Sequence, residues 1–237
     1  VNVYYPPQDW GGATHVVRDN VNELCQNYKD DFDIEILCTN FAGLNYLDYE
    51  IDSDIVNNIR VWKVTTSEQE EGDLAVKDNS ILGIYDEIIN TINPDLVHLH
   101  CIQRITTSLI DIIIDRKIPY IITAHDGWWI SPNQFIINNE GVQEYYDYRN
   151  PSNQSARIHT LKPYLESAAA ITTVSEAFKN IHENCGIENI INTENGIVKK
   201  NLPKSERTSN KKVMIAHMGG CGFHKGLDLV EKILNRI

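Results

Sequence analysis

Polar and aromatic residues that could bind a sugar follow one of the apolar runs of the sequence. His125 and Asp126 come directly after the run 119–124, and Trp128 and Trp129 follow them. Imidazole and carboxylate groups can hydrogen-bond to hydroxyl groups, and indole faces can stack on the C–H surfaces of sugar rings. The sequence therefore predicts a site for a polar ligand such as a sugar. The alternative is that both tryptophans belong to the core.

Two loops that contain glycine could bind phosphate groups. Gly11 and Gly12 precede a predicted helix, and backbone amides at a helix N-terminus attract anions. Gly219 and Gly220 begin a second such loop, which ends in Lys225, and a lysine there could neutralise a diphosphate. Neither loop has the GxGxxG or the Walker A spacing, so no dinucleotide cofactor is predicted. A turn without a ligand is the alternative for each loop.

Three further polar positions lie at the ends of predicted strands. His98 and His100 point to one face of their strand because side chains alternate along it. An HxH pair can bind a metal, but no further ligand lies at a fixed local spacing, so no metal site is predicted. We expect His100 to contact substrate or to be structural. A metal hydrolase built on His98, His100, His125 and Asp126 is a third alternative for the function. Ser175 is predicted to cap a helix, and a substrate contact is its alternative role.

Strand and helix patterns alternate along the chain and must position these residues. Strands are predicted at 1–5, 34–39, 60–64, 96–100, 119–124, 170–174, 189–194 and 213–218, and helices at 13–28, 77–92, 103–115, 155–168, 175–184 and 226–237. This order predicts an α/β fold with a mostly parallel, Rossmann-like sheet and helices on both faces. Ligands bind beyond the carboxyl ends of such strands, where the candidate residues lie.

A polar segment divides the chain into two predicted units. Residues 199–212 carry six Lys and Arg side chains among Pro, Ser and Asn, as expected of a linker. Residues 1–198 then form an N-terminal domain. Residues 213–237 are too few to bury a core of their own, so we expect them to be the first strand and helix of a second domain that continues beyond Ile237. Because the chain begins with Val1, residues are also expected to be missing before it.

Composition excludes several classes of function. The net charge of -12 argues against binding to nucleic acid and to anionic lipid. No apolar run approaches the roughly 18 residues of a membrane span. The five cysteines are irregularly spaced and form no CxxC pair, which favours reduced thiols in a cytoplasmic protein.

Five segments, in order along the chain, resemble motifs of glycosyltransferase family 4. With the motif of the family in parentheses after each segment of this chain, they are 93–100 (PDVVHLH), 123–126 (T-x-HD), 172–176 (TVSE), 194–197 (PNGID) and 219–229 (GR-x-x-x-x-KG-x-D-x-L). The resemblance implies a GT-B enzyme that moves a sugar from a nucleotide-sugar to a carbohydrate or glycolipid acceptor, with retention of configuration and no obligatory metal or cofactor. It also implies that the first domain binds acceptor and the second binds donor, and it favours a role in the assembly of glycans or cell-surface polysaccharides.

The resemblance also implies roles for individual residues. Gly11 and Gly12 match the loop that faces the donor diphosphate, His125 matches the histidine that faces the transferred sugar, and Lys225 matches the lysine that neutralises the leaving diphosphate. Asn195 lies in the PNGID-like segment and is expected to contact substrate.

The sequence departs from the family pattern at three places. Gly220 stands where the family has arginine, and Glu194 stands where it usually has proline. The E-x7-E region, which contacts the donor in the family, would lie beyond Ile237. We therefore expect these residues alone to be inactive, and a carbohydrate-binding or regulatory relative without catalytic activity is the alternative function.

Overall fold

The computed structural model describes residues 1–40, 49–66, 72–137, 156–196, 215–220 and 223–236. The α-helices are α1 (Gly12–Asn27), α2 (Leu82–Ile92), α3 (Ser108–Asp115), α4 (Ala156–Glu166), α5 (Glu176–Asn184) and α6 (Leu227–Leu234). The strands are β1 (Glu35–Thr39), β2 (Ile51–Val56), β3 (Ile59–Val64), β4 (Val97–Leu99), β5 (Tyr120–Ala124), β6 (Ala170–Thr173) and β7 (Ile190–Asn192).

The strands form two hydrogen-bonded sheets. One is all parallel, in the order β4-β5-β6-β7, and the other has the order β1-β3-β2. Strand β2 pairs antiparallel with β3 and was not predicted, because most of its side chains are exposed and its sequence is polar. Asn57 and Asn58 join β2 to β3 with φ angles of 53° and 66°, as a tight hairpin turn requires.

Residues 1–5, predicted as a strand, are not part of a regular ladder but connect the two sheets. The amide of Asn2 donates to the carbonyl of Leu37 at 3.1 Å, and the amide of Thr39 donates to Val3 at 3.0 Å. On the other side, the amide of His100 donates to the carbonyl of Val1 at 3.0 Å. The segment therefore runs between β1 and β4, and the loop that follows it reaches the same edge as the loop after β4.

Helices pack on both faces of this arrangement, which confirms the predicted Rossmann-like α/β fold. Leu37 of β1 belongs to a large apolar cluster that includes residues of α2, α3 and α4. Its neighbours Ile36 and Cys38 point the other way and pack with Val17 and Val21 of α1. Burial on both faces explains why β1 and the strands of the parallel sheet are rich in apolar residues.

Helix α3 begins five residues later than predicted. Arg104 and Thr106 have φ angles of 65° and 67°, which a right-handed helix does not allow. Residues 103–107 are therefore a loop, and this loop carries Gln103 towards the residues that follow β5.

The carboxy-terminal part of the chain packs differently from the rest. The predicted linker 199–212 and residues 213–214 lie outside the described residues, and 215–218 form no strand. No side chain of α6 is buried, and Leu229 and Ile233 are 59% and 58% exposed. The ring of His224 nevertheless stacks on Phe135 with centroids 3.8 Å apart. In the part of the chain that the structure describes, no helix is long and apolar enough to cross a membrane.

Candidate functional site

Loops from three parts of the chain meet at the carboxyl edge of the parallel strands. The side chain of Asn2 joins two of them, since its Nδ2 donates to the carbonyl of Tyr4 at 2.7 Å and its Oδ1 accepts from the amide of Cys101 at 3.1 Å. Gln103 then reaches the third loop, where its Nε2 donates to Oδ2 of Asp126 at 2.7 Å. Segment 1–5, the loop after β4 and the loop after β5 are thus connected by side-chain hydrogen bonds.

Three histidines lie together at this edge. Nδ1 of His100 is 2.9 Å from Nε2 of His125, and the ring of His98 lies 4.1 Å from that of His100. Burial lowers the pKa of His125 to about 4, and burial together with the neighbouring histidines lowers the pKa of His100 well below its usual value. Both rings are therefore neutral at neutral pH.

A metal hydrolase would need these side chains to converge on an ion. Within the described ranges, no group of three or more His, Cys, Asp or Glu residues is arranged to hold a metal. The short contact between His100 and His125 joins their ring nitrogens to each other. The geometry therefore favours hydrogen bonding within the histidine cluster over metal ligation.

Asp126 supports the loop after β5. Its Oδ1 accepts from the backbone amide of Trp128 at 3.0 Å, which caps the 3₁₀ turn Gly127–Trp129, and its Oδ2 accepts from Gln103. Burial raises the pKa of this carboxyl group. Because both oxygens bind protein donors, a contact with a sugar hydroxyl would have to share them. The structure thus gives Asp126 an anchoring role beside its predicted substrate contact.

Both tryptophans after β5 lie in the core. Trp128 and Trp129 are 1% and 2% exposed, and their rings pack edge to face. Nε1 of Trp128 donates to the carbonyl of Asp73 at 2.8 Å, and the guanidinium group of Arg157 lies 4.4 Å from its ring centroid. Neither indole offers a face to a sugar, so the structure supports the alternative that both rings are core residues.

The loop between residue 5 and α1 is open, whereas the loop after β5 is closed. Gly11 has a φ angle of 81° and precedes α1, whose N-terminus has no side-chain cap. A Cβ atom at Gly11 or Gly12 would meet nothing within 4 Å. Trp10, just before them, is 50% exposed and packs edge-on against Tyr4 at 5.3 Å between ring centroids. This loop leaves room for a ligand beside the first amides of α1.

The other predicted site residues lie at the ends of later elements. Oγ of Ser175 accepts from the amide of Phe178 at 3.2 Å, which confirms the predicted cap of α5. Asn195 is exposed, three residues beyond β7. A substrate contact at either residue stays a prediction.

The described residues of the glycine-rich loop near the carboxy terminus include Gly219, which lies close to Lys225. A Cβ atom on Gly219 would be 3.5 Å from Cβ of Lys225, so the loop folds back on this residue. Gly220 and Lys225 are both exposed. The stacking of His224 on Phe135 brings this segment against the loop after β5.

Two residues that organise the site were not predicted. Gln103 is only 6% exposed and follows β4 as Asp126 follows β5, so its position after a strand could have identified it. Gly127 allows the loop after β5 to fold back on itself. Its amide donates to the carbonyl of Gln134 at 2.7 Å, and a Cβ atom on it would lie 2.3 Å from Cγ2 of Ile136. Only the folded loop reveals this close approach.

The fold and the site define an α/β protein with a Rossmann-like domain whose polar residues gather at the carboxyl edge of its sheet. The model of Glycosyltransferase Family 4 matches residues 10–198, which is well over half of the chain. The chain therefore belongs to glycosyltransferase family 4. The match includes the Gly11–Gly12 loop and the histidine cluster. A search of curated proteins found no match.

Proposed function

We propose that this protein is a retaining glycosyltransferase that moves a sugar from a nucleotide-sugar to a carbohydrate or glycolipid acceptor. The observation that carries the proposal is the family match over residues 10–198. The matched region includes His125, which lies at the carboxyl edge of the parallel strands and is neutral because burial lowers its pKa. A partly exposed neutral imidazole, at the same edge of the sheet as an open glycine loop, suits an uncharged, hydroxyl-rich ligand.

The proposed chemistry is electrostatic. When the bond between the sugar and the nucleotide breaks, the diphosphate leaving group gains negative charge. The amides that follow Gly11, at the uncapped start of α1, and the ammonium group of Lys225 would stabilise that charge. His125 would position the transferred sugar. No obligatory metal or other cofactor takes part in this proposal.

The acceptor would bind to the domain formed by residues 1–198. Ser175 and Asn195 are the proposed contacts there, whereas the buried His100, Trp128 and Trp129 support the site from within. Residues 213–237, with the exposed loop that ends in Lys225, would belong to the donor side. The proposed setting is the assembly of glycans or polysaccharides in the cytoplasm, consistent with the free thiols of the described cysteines.

The test is sugar transfer by the protein itself. Purified full-length protein is incubated with UDP-, GDP-, ADP- and dTDP-hexoses, and release of the nucleotide is followed with and without oligosaccharide and glycolipid acceptors. One donor should be consumed. His125→Ala and Lys225→Ala should then each lower kcat/KM by roughly 10²–10³-fold, as expected when one preorganised electrostatic contact is lost. His159→Ala, on an exposed part of α4, is the matched control and should keep the activity.

A carbohydrate-binding relative without catalytic activity is the second candidate. The observation in its favour is Gly220, which stands where the family has arginine and removes one cation from the diphosphate site. Binding of a nucleotide-sugar or an oligosaccharide without turnover, in a protein that Gly220→Arg makes active, would favour this second candidate and contradict the first.

A further inference from the structure

We propose that His100 is a positioning residue that holds His125 in its Nε2–H tautomer, so that Nδ1 of His125 presents a lone pair to a sugar hydroxyl. The inference rests on the proposed function for the identity of the ligand. The contact that carries it is the 2.9 Å distance between Nδ1 of His100 and Nε2 of His125.

The direction of this hydrogen bond follows from the chemistry of neutral imidazole. One ring must donate and the other must accept. If Nε2 of His125 donates, both rings are Nε2–H tautomers, which is the form that neutral imidazole side chains prefer in water. If Nδ1 of His100 donates, both rings take the less stable Nδ1–H form. The contact between the two nitrogens, together with this tautomer preference, therefore points to a proton on Nε2 of His125.

His98 forms a second layer behind this pair. Its ring lies 4.1 Å from that of His100 at an angle of 34°, and its Nε2 is 2.8 Å from Oγ1 of Thr123. Thr123 in turn lies 2.8 Å from Oγ1 of Thr172, its register partner on β6. These contacts link β4, β5 and β6, and they hold in place the ring of His98, which packs against the ring of His100.

Burial keeps the hydrogen bond intact at neutral pH. A protonated histidine donates from both nitrogens and cannot accept. Protonation of His100 would therefore remove the acceptor of this bond, and protonation of His125 at Nδ1 would remove the lone pair that the ligand needs. The lowered pKa values of His100 and His125 keep both rings neutral. Among the described residues, the ring of His125 makes no second hydrogen bond, and the residue is partly exposed. Its Nδ1 is therefore left for the ligand.

The tautomer can be read directly by NMR without any sugar. Protein labelled with 15N-histidine gives two-bond nitrogen–proton correlations that separate protonated from unprotonated ring nitrogens, and His125→Gln assigns the signals of His125. We expect a protonated Nε2 and a bare Nδ1 on His125 at pH 7. A protonated Nδ1, or averaging of both tautomers in the wild-type protein, would overturn the proposal.

Two variants separate positioning from mere packing. His100→Leu removes the acceptor and should give a mixture of His125 tautomers, whereas His100→Asn offers an amide oxygen near the place of Nδ1 and should restore one tautomer. In transfer assays, His100→Leu should lower kcat by about 10–100-fold with little change in the KM of the donor, and His100→Asn should recover most of the rate. His159→Gln is the control for both measurements.

The outcomes decide between the inference and the proposed function. An unchanged single tautomer of His125 in His100→Leu would show that His100 is not required, and would overturn the inference. If His100→Leu does not fold, the wild-type spectrum still decides it. A full-length wild-type protein that has the expected tautomer but transfers no sugar from any donor would contradict the proposed function alone.

Discussion

Two loops lie at the same edge of the sheet, and both were predicted from sequence to contact ligand. The loop after β5, which contains Gly127, is closed: a Cβ atom on that glycine would overlap Ile136, and the adjacent Trp128 is 1% exposed. The loop before α1 ends at Gly11 and is open, with empty space at Gly11 and at Gly12, the first residue of α1, and with Trp10 half-exposed. The same residue types, glycine and tryptophan, therefore pack tightly in the loop after β5 and leave an accessible surface for a ligand at the loop before α1.

The difference matters because the closed loop carries His125 and holds it in place. A residue that positions a ligand needs neighbours that are themselves fixed by packing and hydrogen bonds. Asp126 caps the 3₁₀ turn Gly127–Trp129 and accepts a hydrogen bond from Gln103, and this turn contains the buried Trp128. The open loop, in contrast, offers backbone amides that a diphosphate could reach.

The largest expected change in stability separates Trp128 of the closed loop from Trp10 of the open loop. Trp128→Ala should lower the free energy of unfolding by about 3–5 kcal/mol, because it removes a buried ring and leaves the carbonyl of Asp73 without its indole partner. Trp10→Ala should cost less than about 1 kcal/mol, since half of the side chain is already in water. Urea unfolding of both variants measures the difference. Equal losses would mean that the two loops do not differ in packing.

The glycines should separate in the same direction. Gly127→Ala should destabilise the protein by about 1–3 kcal/mol, because its Cβ would meet Ile136 and the carbonyl of Gln134. Gly12→Ala, at the first residue of α1 next to the open loop, is the matched control and should change stability by no more than about 0.5 kcal/mol. Midpoints of urea unfolding again give the comparison. A neutral Gly127→Ala would contradict the closed geometry.

The pH dependence of stability reports on the closed loop. The unfolded chain protonates His125 near its ordinary pKa of 6.5, whereas the folded protein does so only near 4. Between these two pH values the unfolded state therefore binds more protons than the folded state. The stability that depends on a neutral His125 is fully present above pH 6.5 and is lost as the pH falls towards 4. At pH 5 this loss amounts to about 2 kcal/mol or less. His125→Gln should flatten this part of a plot of unfolding free energy against pH, and an unchanged slope would contradict a buried imidazole.

The smallest change in stability comes from a probe of exposure. Trp10→Phe should alter the unfolding free energy by no more than about 0.5 kcal/mol, yet it should remove most of the fluorescence that acrylamide quenches. The reason is that Trp128 and Trp129 are buried and Trp62 is partly buried. Neutral acrylamide is preferable to iodide because the net charge of -12 repels anions. Trp62→Phe is the control and should leave the quenching largely unchanged.

The sequence by itself determined the fold class and the edge of the sheet at which the site lies. Apolar runs such as 119–124 predict buried parallel strands, and parallel strands place the residues that follow them on one edge. Local chemistry was equally readable, since Ser175 caps α5 as its position before a helix predicts. These features depend on neighbours in sequence, which a single chain displays.

Only the tertiary structure decided which of those residues face a ligand. Periodicity assigns a side chain to a face but does not say what packs on that face, so Trp128 could be read as a sugar platform or as a core residue. The pairing of residues 1–5 with β1 and β4 and the contact between His100 and His125 join segments far apart in sequence. Such contacts arise from the free energy of packing the whole domain, which no local pattern contains.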